Sequence, residues 1–220
     1  PLAPPLHKLI RELSRRLATR PSRRSQNGLH GAKIDIRKSV RKSVPFGMEL
    51  INLSRTTPKV RKTRIVLLCD VSGSMDVFNP FLLQLMLGVQ KTLKNSRTIV
   101  FSTQTNDITP LLRGHDVVEV LAKVAKTVRH WSGGTNIAKA LTDVNRNVLA
   151  EGSSRSTVLI VVSDGYDTGD IAGVTRELEL AKRRTRSIVW INPMYGSSSF
   201  EIRAKTMKAA MPYIDEFLPA

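Results

Sequence analysis

Three short polar clusters in this chain combine side chains that could bind a metal ion. They are Asp70-Val71-Ser72-Gly73-Ser74, Ser132-Gly133-Gly134-Thr135-Asn136 and Ser163-Asp164-Gly165. Together they would supply two carboxylates and three hydroxyls, which are all hard oxygen donors, and neither His nor Cys occurs among them. Mg²⁺ prefers such oxygens in a near-octahedral shell that keeps several waters. The clusters therefore predict a magnesium site, provided that the fold brings them together.

Two of the clusters directly follow apolar runs that are typical of buried parallel strands. Arg64 to Asp70 and Thr157 to Asp164 are continuous apolar runs that end in polar residues. In a doubly wound sheet, the loops beyond the carboxyl ends of the strands converge where the strand order reverses, and ligands bind there. We therefore expect the three clusters to meet at one edge of a sheet.

From residue 65 onward, apolar runs alternate with stretches of helical period, which is typical of βα units. The pattern predicts an α/β fold with a doubly wound, mostly parallel six-stranded sheet and helices on both faces. The other predicted strands are Arg97 to Ser102, Ile108 to Leu112 at an edge, Ser187 to Asn192 and Tyr213 to Phe217. The predicted helices are Phe81 to Leu93, Val117 to His130, Ile137 to Leu149, Ile171 to Arg184 and Ile202 to Met211.

The net charge of +17 is concentrated in the first third of the chain. Residues 1–64 hold 17 Lys and Arg against 3 Asp and Glu, whereas the remaining residues hold 18 against 15. We predict a basic, partly helical N-terminal extension over residues 1–63, with a mobile linker at about 20–32, and an α/β domain over 64–220. A short helix is expected after Asp35 as N-cap, because Ile36, Val40 and Val44 follow at four-residue spacing.

The three clusters resemble the metal-ion-dependent adhesion site of von Willebrand factor A domains. That site has an Asp-x-Ser-x-Ser motif after a strand, a later Thr and a later Ser-Asp-Gly, and this chain fills all five positions. The resemblance implies that Ser72, Ser74 and Thr135 offer hydroxyl ligands. It also implies that Asp70 and Asp164 bind Mg²⁺, with Mn²⁺ and Ca²⁺ as alternative ions, directly or through water. In that family the open coordination position accepts a carboxylate from a partner protein.

A closer similarity is to CoxE-like proteins, which are A-domain proteins encoded beside MoxR-type AAA+ ATPases. The segments that carry it are LLCDVSGSM at 67–75, WSGGTN at 131–136, SDGYDTGD at 163–170, WINPM at 190–194 and PYIDEFLP at 212–219. The resemblance implies a non-catalytic adaptor, chaperone-like, that works with such an ATPase in metalloenzyme maturation or complex remodelling. The partners expected are the ATPase and a metalloenzyme client, bound through an acidic side chain.

The residues that flank the clusters are predicted to form a partner-binding rim around the metal. They are Met75, Trp131, Gly134, Tyr166 and Asp167. The alternatives are structural: Trp131 could pack in the core, and Tyr166 and Asp167 could simply start a helix. The clusters themselves could only cap helices and turns.

Two other functions remain open on the sequence alone. The basic extension could bind nucleic acid, although Phe46 is its one aromatic residue and base stacking is therefore poorly provided for. Asp70 beside Mg²⁺ could be the nucleophile of a haloacid-dehalogenase-type phosphatase. Such enzymes usually place a second Asp two residues later, where this chain has Ser72. The chain also lacks the G-x-x-x-x-G-K-[ST] motif for binding ATP, so we expect no ATP hydrolysis by this chain itself. With the resemblance to an adaptor family as the leading interpretation, we expect a protein that is not an enzyme.

Three features of the sequence indicate the cellular compartment of the protein: the length of its apolar runs, its cysteine count and its N-terminal residues. Its longest apolar runs are five residues, far short of the ~20 that a membrane-spanning helix needs. One cysteine cannot form an internal disulfide, and no signal-like stretch lies near the N-terminus, so we expect a cytoplasmic protein. Because the chain opens on Pro1 rather than Met, we expect an upstream part to be missing.

Overall fold

The structure is a computed structural model, and it describes residues 19–27, 33–46, 53–93, 95–113, 134–150, 156–195 and 204–219. The chain separates between Lys62 and Thr63 into two units. The smaller unit spans Thr19–Lys62, and the larger one contains Thr63–Ala220. The three polar clusters all belong to the larger unit.

In its described residues, the smaller unit contains a three-stranded antiparallel sheet and a short α-helix that a 3₁₀ turn over Val44–Phe46 follows. Its strands are β1 (Thr19–Asn27), β2 (Lys33–Ile34) and β3 (Arg55–Lys62), with β3 in the middle. Helix α1 (Ile36–Ser43) follows β2. The Oδ1 atom of Asp35 accepts a hydrogen bond from the backbone N of Lys38 at 3.0 Å, which confirms the predicted helix and its N-cap.

The linker predicted at 20–32 is wrong for the part that the structure describes. Residues 19–27 form β1, which pairs with β3 from Thr19 opposite Lys62 to Asn27 opposite Thr56. The register shifts between Pro21 and Ser25. Backbone groups build this ladder, and they need no apolar alternation, so the polar composition did not reveal the strand. Residues 28–32 lie outside the described ranges.

The larger unit contains the predicted six-stranded sheet. Its strands are β4 (Arg64–Asp70), β5 (Ser96–Phe101), β6 (Thr105–Asp107), β7 (Thr157–Val162), β8 (Ser187–Asn192) and β9 (Glu216–Pro219). They lie in the order β6-β5-β4-β7-β8-β9, and all neighbouring pairs are parallel except β5 with β6. The order reverses at β4, as a doubly wound fold requires.

The helices of the larger unit mostly match the sequence pattern. They are α2 (Asn79–Thr92), α3 (Thr109–Leu112), α4 (Ile137–Val144), α5 (Ile171–Arg184) and α6 (Lys205–Ala210), and α4 continues as a π-helical turn over Asn145–Leu149. The helix predicted at 117–130 lies outside the described residues. Within the described ranges, no helix is both long and apolar enough to cross a membrane.

The predicted edge strand at 108–112 is wrong. The antiparallel edge strand is β6, three residues earlier, and residues 109–112 form α3 instead. Pro110 stands in the first turn of α3, where its missing N–H costs nothing, whereas it would break a strand ladder. The Oγ1 atom of Thr109 accepts a hydrogen bond from the backbone N of Thr98 at 2.8 Å and so ties the start of α3 to β5.

The core lies on both faces of the sheet, because alternate residues of each parallel strand point to opposite sides. On one face, Ile65 and Leu67 of β4 pack with α2 residues such as Leu85. On the other face, Val66 and Leu68 pack with residues of α4, α5 and α6. The sheet is therefore held firmly between helices, and its loop-bearing edge is a rigid platform.

Candidate metal centre

Asp70 ends β4 as a fully buried carboxylate. Its Oδ1 accepts a hydrogen bond from the backbone N of Ser72 at 3.0 Å, and its Oδ2 accepts one from the Oγ of Ser163 at 2.7 Å. The backbone N of Val71 donates to the carbonyl of Phe101 at 2.9 Å, which extends the β4–β5 pairing one residue beyond Asp70. The first and third clusters therefore meet at this carboxylate.

The two serines of the first cluster lie side by side. Their Oγ atoms are 3.2 Å apart, with Ser72 buried and Ser74 exposed. The backbone N of Met75 donates to the carbonyl of Ser72 at 2.9 Å and starts a 3₁₀ turn over Gly73–Phe78. This tight turn points two hydroxyls the same way, as a shared cation would require.

Asp164 supplies the second carboxylate, directly after β7. Its Oδ1 accepts a hydrogen bond from the backbone N of Tyr166 at 3.0 Å, while its Oδ2 is buried and has no hydrogen-bond partner. Gly165 follows with φ of +80°, and a Cβ there would lie 3.0 Å from that of Met207, so both conformation and space favour glycine.

The loop that carries Thr135 is held at the same edge. The carbonyl of Thr135 accepts hydrogen bonds from the backbone N and the Oγ1 of Thr168, at 3.1 and 2.8 Å. The backbone N of Asn136 donates to the carbonyl of Ser102, just past the end of β5, at 2.9 Å. The Thr135 loop is thus bound to the loop after β7 and to the end of β5, which pairs with β4.

Without a cation, two negatively charged carboxylates at this centre are electrostatically unfavourable. Burial raises the pKa of Asp70 from its ordinary 3.8 to about 6, because a charged carboxylate loses water there. Hydrogen bonds from Ser72 and Ser163 lower this pKa, and the negative charge of Asp164 raises it. Asp70 is therefore repelled by the second carboxylate, Asp164, and a divalent cation between them would neutralise both charges.

The residues present fit a hard divalent cation. The unpartnered Oδ2 of Asp164 is a buried anionic oxygen, and such an atom is costly unless something pairs with it. In the described part of the chain, no three His, Cys, Asp or Glu side chains cluster in a way that could hold a metal. A cation here would therefore depend on hydroxyl oxygens together with the two carboxylates, a donor set typical of Mg²⁺.

The predicted rim is partly corrected. Met75 is fully buried in the core and cannot contact a partner, because the 3₁₀ turn directs it inward and leaves Val77 84% exposed instead. Tyr166 is 51% exposed and Gly134 is exposed. Asp167 is half-buried, and its Oδ1 accepts hydrogen bonds from the backbone N atoms of Ile137 and Gly169 at 3.3 and 3.0 Å, so it positions loops. Trp131 lies outside the described residues.

Three residues that support the centre were not among the predicted site residues. Ser163 donates to Asp70 and accepts a hydrogen bond from the backbone N of Gly165 at 3.0 Å. The Nε1 of Trp190 donates to the Ser163 carbonyl at 2.9 Å, and the Nδ2 of Asn192 donates to the Asp164 carbonyl at 3.2 Å. A polar residue that ends an apolar strand, such as Asn192 at the end of β8, is the sequence signal that could have identified one of them.

The fold and the loop cluster together define a von Willebrand factor A domain. The family model described as "VWA domain containing CoxE-like protein" matches residues 6–220, so the chain belongs to this family of CoxE-like proteins. No curated protein matches the chain.

Solved structures that resemble the chain come from proteins of diverse origin. The pilus adhesin SpaC from Lactobacillus rhamnosus in its open conformation matches with a TM-score of 0.52 and 12% identity over 73% of this chain and 28% of the adhesin. An aerotolerance-related membrane protein from Bacteroides fragilis matches with a TM-score of 0.48 and 14% sequence identity, over 72% of this chain and 91% of that protein. The mussel byssus protein PTMP1 with a zinc-occupied MIDAS motif matches with a TM-score of 0.43 and 20% sequence identity, over 59% of this chain and 37% of PTMP1.

Proposed function

We propose that this protein is a non-catalytic adaptor that binds a partner's carboxylate through Mg²⁺ at the candidate metal centre. It would act in the cytoplasm with a MoxR-type AAA+ ATPase, in the maturation of a metalloenzyme or the remodelling of a complex. The observation that carries the proposal is the buried, unpartnered Oδ2 of Asp164, next to a second buried carboxylate.

In this proposal the hydroxyls of Ser72, Ser74 and Thr135 and the carboxylates of Asp70 and Asp164 hold the ion. Mg²⁺ supplies a positive charge with room for one more hard oxygen ligand. The protein's own residues fix the site: Ser163 and the backbone of Ser72 orient Asp70, and Thr168 anchors the Thr135 loop. An acidic side chain of the partner is the ligand that fits such a position.

Exposed apolar side chains near the centre indicate that a partner must offer apolar side chains as well as a carboxylate. Val77 is 84% exposed, three residues after Ser74. Tyr166 and Met194 are also exposed, and both are tied to Asp164: Tyr166 by its backbone, and Met194 through Asn192. A partner loop with Asp or Glu between apolar residues would complement this rim.

The residues around Asp70 favour binding over phosphoryl transfer. Ser72 stands two residues after Asp70, where haloacid-dehalogenase-type phosphatases usually place a second Asp. Its backbone N donates to Asp70, so in this structure Ser72 orients the carboxylate. The family membership supports the same conclusion, since the similarity to CoxE-like proteins implies an adaptor and not a hydrolase.

A pull-down with a MoxR-type AAA+ ATPase from the same organism tests the proposal. EDTA and the Ser74→Ala variant should each weaken the complex, while deletion of residues 1–18, which keeps strand β1, should weaken it less. Thr92→Ala, which removes an exposed hydroxyl at the end of α2, is the matched control and should bind like the wild type. A complex that resists EDTA but is lost on the deletion would reject metal bridging. Phosphatase activity on simple phosphomonoesters should stay at background in every variant.

A further inference from the structure

Helix α1 in the smaller unit presents apolar residues to solvent and keeps serines inside. Ser39 and Ser43 are buried. Ile36, Val40 and Val44 are 72%, 41% and 56% exposed. These three residues recur every fourth position, two in α1 and the third at its C-cap in helical conformation, and so form one row, which we call the α1 stripe.

Hydrogen bonds on the serine side fix this orientation. The Oγ of Ser39 accepts a hydrogen bond from the backbone N of Ser54 at 2.9 Å and donates to the carbonyl of Asp35 at 2.8 Å. The Oγ of Ser43 donates to the carbonyl of Ser39 at 2.9 Å. Rolling the helix to bury the stripe would leave the N–H of Ser54 without its acceptor, so the outward stripe is a built feature.

The surroundings of the stripe are strongly basic. Arg37 and Arg41 form the next row around the helix and are exposed, and α1 contains no acidic residue. The unit as a whole, residues 19–62, has 12 Lys and Arg against 2 Asp and Glu. A second copy of this chain would bring like charges together, so the partner of the stripe must be anionic.

The apolar surface extends beyond the helix. Ile34 in β2 and Leu53, next to the Ser54 that bonds the helix, are also exposed. Nucleic acid would use the charges and leave these side chains in water. An anionic partner that also accepts apolar side chains is required.

We propose that the α1 stripe and its arginine row form a peripheral binding surface for anionic lipid bilayers. A helix with one apolar row, a basic polar face and no acidic residue lies in the plane of the headgroups, with its apolar side chains among the upper acyl chains. A fluid bilayer accommodates exposed apolar side chains without a matching groove, and arginines beside them reach back to lipid phosphates. This surface acts independently of the metal centre.

Co-sedimentation with extruded vesicles tests the proposal on the full chain. The wild type should bind vesicles of phosphatidylcholine with phosphatidylserine, bind much less to phosphatidylcholine alone, and lose affinity as salt rises. Changing Ile36→Ser together with Val40→Ser keeps every charge and should weaken binding roughly tenfold or more. Arg37→Gln with Arg41→Gln keeps the stripe and should weaken both binding and its salt dependence.

Val77→Ser is the matched control, because it removes an exposed valine from the other unit, and EDTA should also leave vesicle binding unchanged. Circular dichroism should show that every variant is folded. Equal binding by the wild type and the Ile36→Ser, Val40→Ser variant would overturn the proposal and reduce the effect to charge alone. Failure of the folded wild type to bind phosphatidylserine vesicles would also overturn it and assign the surface to an acidic protein.

Discussion

In the α/β unit the apolar residues of strands and helices pack inside, whereas in the N-terminal unit α1 buries serines and exposes Ile36 and Val40, as well as Val44 directly after the helix. The α/β unit has enough apolar residues to cover both faces of a sheet, and the polar residues left at its strand ends become a binding site. In the N-terminal unit, hydrogen bonds hold the helix in place, and its apolar row remains exposed and able to bind another surface. Amphipathic spacing thus predicts a helix in both units, but it does not tell which face is covered.

The largest expected difference concerns the loss of apolar side chains in the two units. Leu67→Ala in β4 leaves a cavity in a core with no exposed surface and should lower the free energy of unfolding by about 2–5 kcal/mol. Val40→Ala in α1 should change it by only about 0.5 kcal/mol or less, because that side chain already contacts water. Urea denaturation followed by circular dichroism gives both values. Similar losses at the two positions would show that the α1 stripe is covered.

The pH dependence of stability should be governed by the α/β unit. The pKa of Asp70 is raised from 3.8 to about 6, so the folded state holds its proton more tightly than the unfolded state does. This group therefore stabilises the metal-free fold most at low pH, and about 3 kcal/mol is lost as the pH rises from about 4 to above 6.

Asp70→Asn should remove this pH dependence, which thermal unfolding in EDTA at several pH values can measure. Mg²⁺ should act with the opposite sign, because protons compete with the metal, and its affinity should fall roughly tenfold for each pH unit below the pKa. An unchanged pH profile in Asp70→Asn would contradict the assignment.

A smaller effect is expected from the serine that holds α1. Ser39→Ala leaves the buried N–H of Ser54 without its acceptor and should cost about 1–3 kcal/mol of local stability. Ser43→Ala is the control, because that hydroxyl bonds only a helix carbonyl, and it should cost less. Hydrogen exchange at the Ser54 amide reports the difference. Equal exchange in both variants would mean that Ser39 does not fix the orientation of the helix.

The sequence predicted those parts of the fold that rest on continuous apolar runs. The central strands β4 and β7 and the helix α5 follow from runs or periods that need no long-range information. Strand β1 was missed because its pairing depends on backbone groups of β3, far away in the chain. The metal-centre clusters were recognised by residue type and spacing.

Details of the site depend on local turns that spacing does not reveal. Met75 points inward and Val77 outward because a 3₁₀ turn and not an extended loop follows Ser72. The support from Trp190 depends on the register of β7 with β8, which places its Nε1 against the carbonyl of Ser163. Such contacts join residues far apart in the chain, so no single motif contains them.

The smallest effect on stability is expected at Thr135. The carbonyl of Thr135 accepts the hydrogen bonds from Thr168, and Thr135→Ala keeps them, so the free energy of unfolding should change by only about 1 kcal/mol although the residue is buried. Its hydroxyl is a proposed metal ligand, so Mg²⁺ affinity should nevertheless fall. Circular dichroism with metal titration separates the two effects. A large loss of helical signal would instead show that the hydroxyl has a structural role.

Isothermal titration calorimetry with Mg²⁺ tests the central claim most directly, with the wild type and Asp164→Asn compared at pH above the pKa of Asp70. The wild type should bind one ion per chain saturably, and binding should be lost or greatly weakened in Asp164→Asn, because the buried oxygen that the ion neutralises is then uncharged. Mg²⁺ should also raise the thermal stability of the wild type alone. Equal heats and equal thermal shifts in the two proteins would contradict the metal centre.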